Sequence, residues 1–214
     1  MVDLGLPSGT LWADRNVGAT SPEDNGLYFQ WGDTVGYTKE QVGVDKVFDW
    51  ASYWDTTDGG STFNKYGRTN GKLRVLEASD DAATVHMGSD WRMPTFDEIY
   101  ELTSNNNTTL TFIDLQGNEF SRSEVSDSGG AIVKNNLKGV RFTGKNGNSI
   151  IIPASGYWRN SQHNSVNNGC FLWSSTLATS GDNSCLTEFI NTTGVNMTNA
   201  SRYNGYSVRG VCNK

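Results

Sequence analysis

The chain has 214 residues, 36% of them hydrophobic, with 24 Gly, 4 Pro and a formal net charge of −6. Its length fits one domain spanning residues 1–214, and seven Trp, eight Tyr and nine Phe supply the apolar mass of a real core. The acidic balance excludes a nucleic-acid partner, which needs a basic face, and no apolar run approaches the roughly 20 residues that span a bilayer.

In chain order, Leu11-Trp12-Ala13 and Leu27-Tyr28-Phe29-Gln30-Trp31 read as short strands separated by turn residues at Asn16, Gly18, Ser21-Pro22 and Asn25-Gly26. Residues from about 32 to 75 lack sustained periodicity and read as a long ordered loop region pinned by Trp50, Tyr53, Trp54, Phe63 and Tyr66. Two short helices follow. The first runs from Asp80 to about Met87, with Ser79 or Asp80 as cap and Ala82, Ala83 and Val85 inside. The second opens on a capping box, Thr95-Phe96-Asp97-Glu98 after Pro94, buries Ile99 and Leu102, and stops near Ser104.

From Thr108 the pattern turns to strands. Val140 to Thr143 and Ser149 to Ile152 flank an Asn146-Gly147 turn, a hairpin signal, and further strands are expected over Phe171 to Ser174, Leu186 to Ile190 and Tyr206 to Val211. The expected fold class is α+β, helix-poor and loop-rich, with two short helices on small antiparallel sheets.

No motif for chemistry emerges. His86 and His163 stand far apart and read as surface or capping histidines, and no carboxylate pair is singled out by spacing. There is no nucleophile elbow and no phosphate loop. We therefore expect no catalytic residue, no metal and no cofactor. The three cysteines, Cys170, Cys185 and Cys212, read as thiols, with a Cys170–Cys185 bridge as the alternative.

The last quarter is a frame with gaps. Gly156-Tyr157, Trp173-Ser174-Ser175-Thr176 and Arg202 to Arg209 alternate with Asn, Ser, Thr and scattered Cys, Leu, Arg and Tyr. Aromatic anchors among adaptable polar residues are the make-up of a contact surface.

Several stretches together carry a resemblance. They are Val2-Asp3-Leu4-Gly5-Leu6-Pro7-Ser8-Gly9-Thr10, Asn16-Val17-Gly18-Ala19, Tyr28-Phe29-Gln30-Trp31-Gly32, Asp80-Asp81-Ala82-Ala83, Asp90-Trp91-Arg92-Met93-Pro94-Thr95, Asn146-Gly147-Asn148-Ser149-Ile150, Trp173-Ser174-Ser175 and Gly205-Tyr206-Ser207-Val208-Arg209. In this order they resemble the Fibrobacter succinogenes major paralogous domain, common in Bacteroides-type gut bacteria. The resemblance implies a C-type-lectin-like fold of the formylglycine-generating-enzyme branch, with Arg92 paired inside the fold and Pro94 and Thr95 starting a helix. The calcium motif and paired cysteines of animal lectins are missing, as is a match to the oxidase's copper cysteines, so neither activity carries over.

The same fold is used by the variable proteins of diversity-generating retroelements, where mutated template adenines, chiefly in Asn codons, produce a C-terminal region free of new Trp, Glu, Gln, Lys or Met. The gaps in the frame fit that alphabet: Arg159, Asn160, Asn164, Asn167, Asn168, Cys170, Leu172, Leu177, Thr179, Asn183, Ser184, Cys185, Thr187, Asn191, Thr198 and Tyr203. Trp158, Phe171 and Tyr203 are the candidate aromatic anchors. The expectation is a binding protein: a scaffold to about Pro153 carries a variable ligand-binding region over residues 155–211, facing a protein or glycan ligand at a cell or phage surface. The opening Met1-Val2-Asp3-Leu4-Gly5 shows no leader, so a cell-surface or phage location requires a leader or fusion partner outside this sequence. The alternative is a non-diversified adhesin or glycan-binding module using Trp50, Tyr53 and Trp54.

Overall fold

A computed structural model describes the backbone of residues 1–69, 71–181, 184–191 and 194–213, and the side chains of all of these except 184–191, 194 and 197. The elements in chain order are β1 (Val2–Asp3), β2 (Leu11–Asn16), β3 (Tyr28–Phe29), α1 (Ala82–Met87), α2 (Phe96–Thr103), β4 (Thr108–Asp114), β5 (Glu119–Ser121), α3 (Arg122–Asp127), β6 (Leu137–Gly144), β7 (Ser149–Pro153), β8 (Tyr157–Arg159), β9 (Gln162–Asn164), β10 (Gly169–Leu177), β11 (Ser184–Asn191), β12 (Gly194–Ser201), β13 (Tyr206–Ser207) and β14 (Arg209–Cys212). This is a helix-poor α+β fold built on small, mostly antiparallel sheets.

The sheets have the orders β1-β2-β14, β12-β11-β10-β13-β3, β5-β4-β6-β7 and β8-β9. The chain therefore brings its first and last strands to either side of β2. The expected Tyr206-to-Val211 strand divides at Val208, and its two halves join different sheets.

β10 is the central wall. Cys170 and Leu172 point into a core with Leu4, Trp12, Ile99, Leu102, Phe142 and Ile152. Phe171, Trp173 and Leu177 point into a second core with Phe29, Trp31, Tyr66, Met93 and Tyr206. A strand buried on both faces shows no polar alternation, which is why its sequence looks like frame plus filler.

The helix starts follow local chemistry. In α2 the Thr95 hydroxyl accepts from the Glu98 amide, and Glu98 accepts from the Thr95 amide at 2.8 Å. Arg92 holds the same carboxylate with two bonds of 2.7 and 2.6 Å. α1 is capped by Asp81 rather than by Ser79 or Asp80. Its carboxylate accepts from Thr84 N at 3.0 Å and from Met93 N at 2.7 Å, tying the helix to the α2 approach. Burial raises the pKa of Asp81 above the ordinary carboxyl value despite these bonds. Val85, expected inside, is exposed, because α1 turns Ala82, Ala83 and Met87 to the core.

α3, β1, β5, β8, β9 and β12 were not expected from the sequence. Ser121 and Glu124 form a capping box at the start of α3. In the loop region before α1, Tyr53, Phe63 and Tyr66 are buried and Trp54 is exposed. Asp55, fully buried, accepts from Lys65 N at 2.7 Å and Tyr66 N at 3.1 Å, and pairs with the buried Arg202 at 3.3 Å.

Candidate binding surface

The C-terminal region leaves the core at the β8–β9 hairpin, where Tyr157 pairs with Asn164, Trp158 with His163 and Arg159 with Gln162. The tip is Asn160-Ser161. Asn160 has φ 55°, a left-handed value that Asn tolerates better than most residues. The tip is held down by Phe48: Asn160 N donates to Phe48 O at 2.8 Å, and Phe48 N donates back at 3.1 Å.

Trp158 fastens the hairpin to the body. It is buried, stacks on His163 at 4.3 Å and 9°, and exchanges backbone bonds of 2.9 Å with Gly205. A Cβ on Gly205 would stand 2.6 Å from the Phe48 ring, so a side chain there would break the joint. His163 is half-buried and packed rather than a surface group. Burial lowers its pKa. Because a carbonyl can only accept, Nε2 donates to Ser155 O at 2.7 Å, an oxygen that also accepts from the Tyr28 hydroxyl at 2.9 Å.

Arg159 is exposed and donates from Nε to the Tyr203 hydroxyl at 3.0 Å. Tyr203 itself is buried with Tyr53 and Phe63, and its ring lies 4.8 Å from that of Trp50. Beneath this cluster Arg202 sits 4.0 Å from the Phe63 ring and 5.1 Å from that of Trp31. Gln30 donates to Tyr203 O at 3.2 Å and accepts from the buried Lys46 at 2.7 Å. The exposed tip therefore rests on a polar and aromatic floor of Gln30, Trp31, the long loop's Lys46, Trp50, Tyr53 and Phe63, and Arg202 and Tyr203.

The candidate residues sort sharply by burial. Arg159, Asn160, Thr179 and Thr198 are exposed, while Asn164, Asn167 and Asn168 are half-buried. Asn167 has φ 54°, donates to Ala154 O at 3.0 Å and accepts from Leu137 N at 2.9 Å, so it serves a turn as much as a surface. Cys170, Phe171, Leu172 and Leu177 do not belong on a display face: they fill the two cores on either side of β10. Trp158 and Tyr203, which with Phe171 were the candidate aromatic anchors, are buried as well. Asn183 lies outside the described residues. For Ser184, Cys185, Thr187 and Asn191 only the backbone is described, and it sets them along β11, with Thr187 between Trp173 and Thr198.

That register also removes the alternative disulfide. Cys170 stands opposite Ile190 and Cys185 opposite Leu177. Cys185 and Ile190 are about 16 Å apart along an extended strand, well past the roughly 7 Å limit for a bridge between Cα atoms. The Cys170 thiol instead donates to Ile152 O at 3.2 Å.

Reading the sequence missed Ser161, Gln162, Asn196 and Asn199, all exposed beside the candidate residues. Asn199 reaches Ser180 at 3.5 Å, linking β12 to the end of β10. The alternative aromatic groove is mostly closed. Tyr53 is buried, and Tyr53 and Trp54 both donate to Trp31 O, at 2.9 and 3.2 Å; Trp54 keeps 37% exposure.

Open cavities of more than 600 Å3 lie among the described residues. One, of about 610 Å3, lies between Asp81, Trp91, Arg92, Met93, Ser175 and Cys212. Another, of about 620 Å3, lies between Tyr100, Asn105, Asn106, Arg122, Val195 and Asn196, and reaches the candidate region through β12. Among the described residues no helix is long and apolar enough to cross a membrane. Compared with protein-family models, with curated proteins and with solved structures, the chain finds no match in any of the three.

Proposed function

We propose that the chain is a ligand-binding protein: a C-type-lectin-like scaffold presenting residues 155–211 as the diversified face of a diversity-generating retroelement variable protein. The observation that carries this reading is the split in exposure within that stretch. Arg159, Asn160, Thr179 and Thr198 stand in solvent, while the intervening frame of Trp173, Ser174, Ser175, Arg202, Tyr206, Ser207 and Arg209 is buried. Exposed side chains contribute little to folding and can change; the buried frame cannot. The scaffold side of the reading is supported by the paired Arg92 and the capped helix that follows Pro94 and Thr95.

The diversified set is accordingly narrower than the codon alphabet suggests, and Cys170, Leu172 and Leu177 fall in the frame. Partner recognition rests on Arg159, held over the Tyr203 and Trp50 cluster, with Asn160, Asn164 and Thr198 adding polar specificity. The ligand is a protein or glycan at a cell or phage surface. Sequencing the 3′ coding region and its surroundings tests this. The expected result is a near-copy with adenines at the codons of Arg159, Asn160, Thr179 and Thr198, beside a reverse-transcriptase gene. A locus with no such copy, and identical codons across independent isolates, contradicts it. The partly exposed Trp54, packed on Tyr53 and Tyr66, favours a second reading, a fixed glycan-binding module, for which a glycan array would show a defined sugar hit.

A further inference from the structure

The sheet edges of the molecule are unequal. β1 and β3 are two residues long, β5 has three and carries Glu119, and β7 has five and ends in Pro153. On β14 the side away from β2 is taken by a bridge between Val211 and Arg92. Short length, charge, proline and cover are the usual means by which proteins blunt an edge.

β12 has none of them. It is the outer strand of the five-stranded sheet and runs for eight residues, Gly194–Ser201, with no charged residue and no proline. It pairs with β11 at eight successive positions without a bulge, so the edge is regular. Val195 and Ala200 pack against the two cores, while between them Asn196, Thr198 and Asn199, which point to opposite faces of the strand, stand in solvent.

We infer that β12 is a pairing edge for a second copy of this chain, the two β12 strands running antiparallel about a two-fold axis normal to the sheet. Such an axis keeps Asn196 and Thr198 of both copies on one face and joins two five-stranded sheets into one. A second copy is the occupant that fits because a long partner edge must also be uncharged and regular, and β12 is the one long edge of that kind among the described residues. Its neutrality also lets copies approach although each carries a net charge of −6. The inference concerns the backbone edge of β12 and the ligand reading the side chain of Thr198, so either can fail without the other.

The test is light scattering with size exclusion on the full chain, from about 1 to 200 μM, together with amide exchange of residues 195–201. The expected result is a mass rising from monomer toward twice that value, with exchange in β12 slowing as concentration rises. Asn196→Lys and Asn199→Lys, which place like charges across the two-fold axis, should hold the mass at monomer while circular dichroism and the melting temperature stay at the parent's values. A parent that remains monomeric over the whole range overturns the inference. So does a dimer that forms equally well in both folded lysine variants.

Discussion

The Arg159 guanidinium donates to the Tyr203 hydroxyl at 3.0 Å, joining an exposed hairpin tip to a buried ring. Affinity and folding are therefore separable at this pair. Tyr203→Phe keeps the ring among Trp50, Tyr53 and Phe63 and frees Arg159. We expect partner affinity to fall by about 1 kcal/mol, with the melting temperature within about 2 °C. Tyr203→Ala empties the cluster and should cost about 3–5 kcal/mol of stability. Titration calorimetry and thermal melts on the two variants check the division, and a Tyr203→Ala variant melting like the parent would contradict it.

Asn160 sits at φ 55° between two backbone bonds to Phe48. A β-branched residue is strained in that region by about 1–2 kcal/mol, and Gly is not. Asn160→Val should lower stability by that amount, while Asn160→Gly should stay within about 0.5 kcal/mol of the parent. Urea titration of the two variants would expose an error if their midpoints coincide. If the position is diversified, the same strain favours Asn, Asp and Gly among its outcomes.

The Arg92–Glu98 pair makes stability depend on acid. Burial pushes the Glu98 carboxyl up, but its bonds to Arg92 and to the Thr95 amide outweigh this and leave it below the ordinary value of 4.5. A carboxyl whose folded pKa is depressed stabilises the fold above its unfolded pKa and loses that contribution as the pH falls through the folded value. Glu98→Gln should cost about 1–2 kcal/mol at pH 7, a figure reduced for the partial exposure of Arg92. The gap between parent and variant should begin to narrow near the unfolded carboxyl value of about 4.3 and go on narrowing as the pH falls through the lower folded value. A gap of constant size from pH 7 to pH 3, measured by denaturant titration, would refute the linkage.

Asp55 and Arg202 are both fully buried and pair at 3.3 Å, and Asp55 also accepts from the Lys65 and Tyr66 amides. Removing one partner leaves a charge uncompensated in the interior. Arg202→Met and Asp55→Asn should each cost about 3–5 kcal/mol, with the double variant losing clearly less than the sum. Strict additivity in a double-mutant cycle would show that the two side chains do not act together.

How much of this could be read from the sequence depended on the kind of signal. α2 was legible because Thr95 and Glu98 carry both halves of a capping box and Ile99 and Leu102 follow at helical spacing. Ser121 and Glu124 offer the same box, yet α3 was missed because Val125 is its one buried residue, too little to set a period. β12 was missed because Gly, Asn and Thr read as turn residues, and what makes them a strand is the register with β11. The candidate surface was half legible. Codon chemistry says which side chains can vary but nothing about which way a strand turns them. Cys170 and Leu172 fit the alphabet and lie in the core; Gln162 does not fit it and is exposed.

The central claim is that exposed positions within residues 155–211 are exchangeable and their buried neighbours are not. A saturation scan of the described positions in that stretch, on displayed protein sorted for folding by protease resistance, tests it most directly. We predict broad tolerance at Arg159, Thr179 and Thr198, and narrow tolerance at Cys170, Leu172, Trp173, Arg202, Tyr206 and Arg209. Equal intolerance in the two groups would contradict the account.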